Sequence, residues 1–182
     1  MLANRAIILG TRGTLTRTAL GLPRGTPLGD SALILPKFYR PHAHPATTGK
    51  VVWVPHIHHR DPTPEDLDGC PDAVTLRPEI PNTVEACERF IDAIVSARFV
   101  MANAMHAAVI ALAYGVPFCF WGGYQIDLPF KWRDLTSPMD FQMEFQPTFA
   151  AGQAEFDRLR PDKAFQAFNI DPLLKIAPFK LR

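Results

Sequence analysis

Cysteine is scarce: Cys70, Cys87 and Cys119 are the only three in 182 residues, and they stand far apart. An odd, widely spaced set excludes a disulfide scaffold or a zinc knuckle, both of which need close pairs, and points to a reducing, cytoplasmic setting. Charge of one sign is lacking as well. Nineteen Lys and Arg against eighteen Asp and Glu leave a formal net charge of +1. No global field therefore draws the chain to nucleic acid or to an anionic membrane, and any anion site has to be local.

Long apolar runs are also missing. The longest, residues 107–121, carries Gly115 and Pro117 and falls short of the roughly 20 residues a membrane span needs. The opening MLANRAIILGTRG lacks the layout of a signal peptide. No GxGxxG, no GxxxxGK followed by Ser or Thr, and no GxSxG occurs, so dinucleotide, P-loop and nucleophile-elbow chemistry have no support. His42, His44, His56, His58 and His59 cluster, yet no CxxC or HExxH supplies the second half of a metal site. Neither a metal nor a cofactor is expected.

Proline, by contrast, is abundant at 18 residues, and Pro41, Pro45, Pro62, Pro64, Pro71, Pro78 and Pro81 mark loops that leave the intervening apolar runs as the regular elements. Residues 6–9 read as a first short strand, 14–20 as a helix, and 32–35 as a further apolar run. KVVWV at 50–54 is β-branched and aromatic, a buried strand, with 73–76 a shorter candidate. Val84, Cys87, Ile91 and Ile94 then recur at helical spacing, with Asn82 and Glu85 laid out as a capping box. RFVMA at 98–102, an almost wholly apolar helix at 105–114 stopped by Gly115, and a strand at 118–121 follow.

Strands without alternation need both faces covered, and a helix apolar all round needs burial on most sides. The succession predicts an α/β fold, a Rossmann-like parallel sheet with helices on both faces, over residues 1–140, with a mainly helical extension over 141–182 packed on it. Ligands of such sheets bind beyond the carboxyl ends of the strands. That rule selects Thr11, Arg12 and Gly13, then Pro55 and His56, then Asn103 and His106, and finally residues 122–125. His106, in the first turn of an apolar helix, can donate, accept or shuttle a proton, or simply cap or pack. Arg12 offers a planar fork for carboxylate or phosphate beside Gly13, where the backbone can approach a ligand; the alternative is a solvated arginine. Lys131, in FKWRDL, belongs either to an anion-binding stretch or to a surface loop anchored by Trp132.

In this order the pieces resemble the polysaccharide pyruvyl transferases. The resemblance rests on TRGTLTRTALGLP, LGDSALILP, VVWVPH, RFIDAIVSARFVMANAMHAAVIALAYGVPF and FKWRDL, and runs from Ile7 to about Leu135. It implies the second domain of a GT-B-like fold, that is, the carboxyl-terminal half of an enzyme that is truncated or split. The implied reaction moves the pyruvyl group of phosphoenolpyruvate onto a sugar of a cell-surface or exopolysaccharide as a pyruvate ketal. His106 matches the family's donor-site histidine in a segment that here reads NAMHAA. On that scheme His106 is the general acid or base, and Arg12 and Lys131 hold carboxylate and phosphate. Asn103 adds donors at the helix start, Gly13 admits the ligand, and Asp30 and His56 line the cleft. The partners implied are phosphoenolpyruvate, a saccharide acceptor, and a second polypeptide or another copy of the chain. That contact is expected through the aromatic stretch 118–132, with Trp121, Tyr124 and Phe130. The rival readings are a nucleotide-sugar glycosyltransferase of GT-B type and a non-catalytic carbohydrate-binding remnant.

Overall fold

The computed structural model describes residues 6–63, 65–66, 70–123, 126 and 128–179. Five parallel strands form one sheet: β1 (Val51–Val54), β2 (Val74–Thr75), β3 (Phe99–Ala102), β4 (Phe118–Trp121) and β5 (Phe145–Gln146), in the spatial order β2-β1-β3-β4-β5. Every residue of β1, β3 and β4 is buried, as their unbroken apolar sequences require. The fold is α/β and Rossmann-like.

Among the described residues seven α-helices accompany the sheet: α1 (Thr14–Ala19), α2 (Val84–Val95), α3 (Met105–Tyr114), α4 (Pro129–Thr136), α5 (Phe149–Leu159), α6 (Pro161–Ala167) and α7 (Asp171–Ile176). The strand pairing sets Met101 beside Cys119 on one face and Phe120 beside Phe145 on the other. On the first face α5 lies so close that a Cβ on Gly152 would stand 2.4 Å from Cys119 Sγ. On the second, Trp132 of α4 packs edge-on to Phe120 with ring centroids 4.7 Å apart. The almost wholly apolar α3 packs against β3, β4, α2, α6 and a 3-10 helix over Ser31–Lys37, so its apolar residues are buried on most sides while His106 stays exposed.

Several sequence expectations need correction. Residues 6–9 form no strand, and Ile7 is 89% exposed; an isolated bridge pairs Thr11 with Leu28 instead. An apolar run becomes a strand only where it pairs with a sheet edge, and residues 6–9 pair with neither of the edge strands, β2 and β5. The apolar run after Ser31 is a 3-10 helix capped by Asp30. The N-cap of α2 is Thr83 rather than Asn82: the Thr83 hydroxyl accepts from the Ala86 amide at 3.2 Å. FKWRDL is helical and lies within α4. The sheet continues past residue 140, since β5 pairs with β4 and α5 packs on both. The aromatic stretch expected at an outer surface is mostly interior, with Phe118, Trp121 and Trp132 each 1% exposed. Phe130 remains half exposed, and Tyr124 lies outside the described residues. No helix among the described residues is long and apolar enough to cross a membrane.

Candidate functional site

The strand order contains one topological switch. From β1 the chain steps outward to β2, and from β2 it returns over β1 to β3, so the loops leaving β1 and β3 diverge and open a crevice at their carboxyl ends. Backbone bonds fix its floor: Val54 O accepts from the amides of Asn103 at 2.9 Å and Ala104 at 3.1 Å. The buried Asn103 side chain donates through Nδ2 to Trp121 O at 2.9 Å, tying the end of β3 to that of β4. Asn103 therefore braces the crevice and does not line it.

Above this floor lies a cavity of about 660 Å³. Among the described residues its charged and imidazole-bearing lining is Arg12, His56, His106 and Lys131, four nitrogen-bearing side chains from four separate segments. The rest of the wall is largely apolar, from Leu35, Phe90, Ile91, Met105 and Ile110 among others. Such a lining suits an anionic ligand held in a largely apolar cavity. Met105 and His106 open α3, whose first turn has no capping side chain, so that end of the helix presents its amide donors toward the same space. The His106 side chain is 64% exposed, which leaves its ring accessible from solvent.

Arg12 reaches the cavity from outside the sheet, on the segment that carries α1 and the 3-10 helix. Asp30 organises its approach. One oxygen, Oδ1, accepts from the Ala32 amide at 3.0 Å, and the other, Oδ2, accepts from Arg12 Nε at 2.9 Å. His106 Nε2 stands 3.9 Å from the same Oδ2, beyond hydrogen-bond length. Asp30 is 6% exposed and lines a second, smaller cavity of about 370 Å³, of which Arg12 forms the shared wall. It acts on the first cavity through Arg12 and His106.

Gly13 has a different task from the one its sequence suggests. A Cβ there would lie 1.8 Å from Asp134 O, so the missing side chain admits α4 and not a ligand. Across this joint the Thr14 amide donates to Ser137 Oγ at 2.9 Å and the Thr16 amide to Asp134 Oδ1 at 3.0 Å, capping α1 from another helix. Because α4 also carries Lys131, the joint ties the segment of Arg12 to the helix of Lys131, and both residues line the cavity.

His56 sits in the loop after β1, its ring 5.2 Å from that of His58 and 5.4 Å from that of His59. No group of three or more His, Cys, Asp or Glu among the described residues is placed to hold a metal ion. Arg77 ties this loop down by donating to His59 O at 2.8 Å and Asp61 Oδ1 at 3.1 Å, while its pairing with Glu79 holds that carboxyl below its ordinary range. Sequence reasoning missed Arg77 and the capping role of Asp134, whose only local sign was a carboxylate between Trp132 and Leu135. Gln125, the last of the loop residues selected after β4, lies outside the described residues. No family model, curated protein or solved structure matches the chain.

Proposed function

We propose that the switch-point cavity binds phosphoenolpyruvate and that the chain provides the donor side of a pyruvyl transferase acting on a saccharide. The observation that carries this reading is the meeting of Arg12, His56, His106 and Lys131 in one cavity at the strand ends. Phosphoenolpyruvate bears two anionic groups, and two cationic side chains of the cavity lining, Arg12 and Lys131, match a carboxylate and a phosphate.

In the reaction the enol carbon forms two C–O bonds to two sugar hydroxyls, its C–O bond to phosphate breaks, and the methylene becomes a methyl. One hydroxyl proton ends on that methyl and the other leaves with inorganic phosphate, so the step balances without oxidant or metal. His106, exposed and beside Asp30, is the group to carry the proton to the methylene carbon. Asp30 is a positioning residue that orients Arg12 and His106. Arg12, Lys131 and the first-turn amides of α3 offset the charge gathering on the departing phosphate. The cytoplasm is where such a donor is met, and we assign the reaction there.

The test is turnover. The purified chain, with phosphoenolpyruvate and the methyl glycosides of glucose, galactose and mannose, is expected to release phosphate and to give the new ketal methyl signal in proton NMR. His106→Gln should remove that signal while leaving the thermal midpoint where it was, because an exposed ring contributes little packing. Thermal stabilisation by a nucleotide sugar but not by phosphoenolpyruvate would overturn the reading in favour of a glycosyltransferase.

A further inference from the structure

Two glycines stand directly behind the Arg12–Asp30 ion pair, on the arm of the chain that precedes β1. Gly10 precedes Thr11 and Gly29 follows Leu28, the two bridged residues; there the Thr11 amide donates to Pro27 O and the Gly29 amide to Thr11 O, each at 3.0 Å. A Cβ on Gly29 would lie 2.6 Å from Leu173 Cδ1, and one on Gly10 2.7 Å from Ile176 Cδ1. Leu173 and Ile176 are three residues apart on α7 and therefore share one of its faces, and each occupies the place that a side chain on the arm would take. Beyond Ile176 the chain reaches Phe179, whose ring meets Phe38 edge-on with centroids 5.2 Å apart. The carboxyl-terminal segment thus crosses the arm from the bridge to the end of the 3-10 helix, and the cavity of about 370 Å³ that Arg12 and Asp30 line has residues of both in its wall. Only Leu173 of the six residues of α7 is buried. So short a helix keeps its form only while docked, and elements with so little buried surface are the ones that open locally.

We infer that α7 is a clasp that positions Arg12, and that its release lowers the affinity of the switch-point cavity for an anion. With Leu173 and Ile176 seated on the two glycines, the backbone that carries Asp30 and Arg12 is held in one place. Asp30 then aims the guanidinium: among the described residues it is the only partner of Arg12 and takes Nε, so the two terminal nitrogens remain for a ligand. Leu173 and Ile176 do not line the switch-point cavity, so they are positioning residues and act through the arm. The inference rests on the reading of Arg12 as a ligand of the anion, and adds control of that ligand by a helix near the other end of the chain.

Two measurements on Ile176→Ala test this. Calorimetric titration with phosphoenolpyruvate should show binding weakened by about five-fold, the lower range of coupling between sites. Gly10→Ala, which displaces Ile176 from the opposite side, should act alike. Ile176→Ala made in Arg12→Ala should weaken binding no further, and made in Lys131→Ala should weaken it by the same factor, whereas a merely structural loss would appear equally in both. Because coupling is reciprocal, saturating phosphoenolpyruvate should slow hydrogen exchange at the Leu173, Leu174 and Ala177 amides, which close the turns of α7. Exchange in the ligand-free protein reads the clasp without any anion: Ile176→Ala should speed it at Thr11, Gly29 and Ala32, the last of which donates to Asp30, and leave β3 and α3 unchanged. Unchanged exchange at those three amides overturns the inference, as does an Ile176 effect of equal size with and without Arg12. A wild type that binds no phosphoenolpyruvate overturns the reading of the cavity instead, and the exchange at Thr11, Gly29 and Ala32 then decides the clasp by itself.

Discussion

The sheet and the segment that precedes it are held by different forces. In β1, β3, β4 and α3 almost every side chain is apolar and buried, and cohesion comes from close packing: Trp53 meets Trp121 edge-on with centroids 4.2 Å apart, and Cys119 Sγ lies 3.2 Å from Met101 Sδ. The preceding segment, residues 6–48, contributes no strand to the sheet and is pinned by three buried carboxylates. Asp134 takes the Thr16 amide and hydroxyl, Asp30 takes Arg12 and the Ala32 amide, and Asp92 takes the Tyr39 hydroxyl at 2.8 Å and the His42 amide at 2.9 Å. Apolar packing is directionless, whereas hydrogen bonds to a carboxylate fix position and angle. The difference teaches where precision is needed: the sheet supplies a rigid floor, and the carboxylates set the place of the one arginine that must arrive from outside it.

The comparison breaks most visibly in the sheet. Trp53→Ala is expected to cost about 3–5 kcal/mol, a large share of a domain's stability, and to lower hydrogen-exchange protection in both regions together. Protection lost near β1 alone would show that the sheet is not one cooperative unit. Asp134→Ala should cost less, about 2–3 kcal/mol, because it removes charge-assisted bonds and no packing. Its loss of protection should fall on α1 and its neighbours while β3 and β4 keep theirs, and equal losses in both regions would contradict the division.

The smallest effect is a pH dependence. Burial, the hydrogen bond to Asp92 and the negative charge of Asp92 push the Tyr39 hydroxyl up to about 12 from its ordinary 10.0. In the unfolded chain the phenol ionises first, so the stability linked to Tyr39 is intact below pH 10 and is lost as pH climbs toward 12. Thermal midpoints measured across that interval should fall less steeply in Tyr39→Phe than in the wild type. Identical slopes would mean that Asp92 does not hold this hydroxyl.

The same contrast explains what the sequence made legible. VVWV, FVMA and FCFW are unbroken apolar runs, and only a sheet covered on both faces accounts for them, so the strands and the crevice at their ends follow from pattern. Arg12, His56, His106 and Lys131 could be picked out because they stand just after strands or in a basic and aromatic stretch. In residues 6–48 the helix over 14–20 was legible and stands as α1, whereas the attachments of the segment were not, because they depend on partners distant in the chain. Residues 6–9 look like a strand but pair with none in the sheet, and Gly13 looks like a ligand loop until Asp134 is found against it. Asn103 illustrates the same limit: its position at a strand end was readable, but its bond to Trp121 O, which turns it from ligand to brace, was not.

The central claim is that Arg12 and Lys131 hold one anionic ligand in the switch-point cavity, and titration calorimetry with phosphoenolpyruvate measures it most directly. Saturable binding at one site is expected in the wild type, with Arg12→Ala and Lys131→Ala each weaker by about 1.5–3 kcal/mol, as the loss of a charge-assisted hydrogen bond requires. Thermal midpoints of both variants, recorded alongside, separate lost binding from a loosened arm. Affinity unchanged in both variants, or no saturable heat in the wild type, would contradict the account.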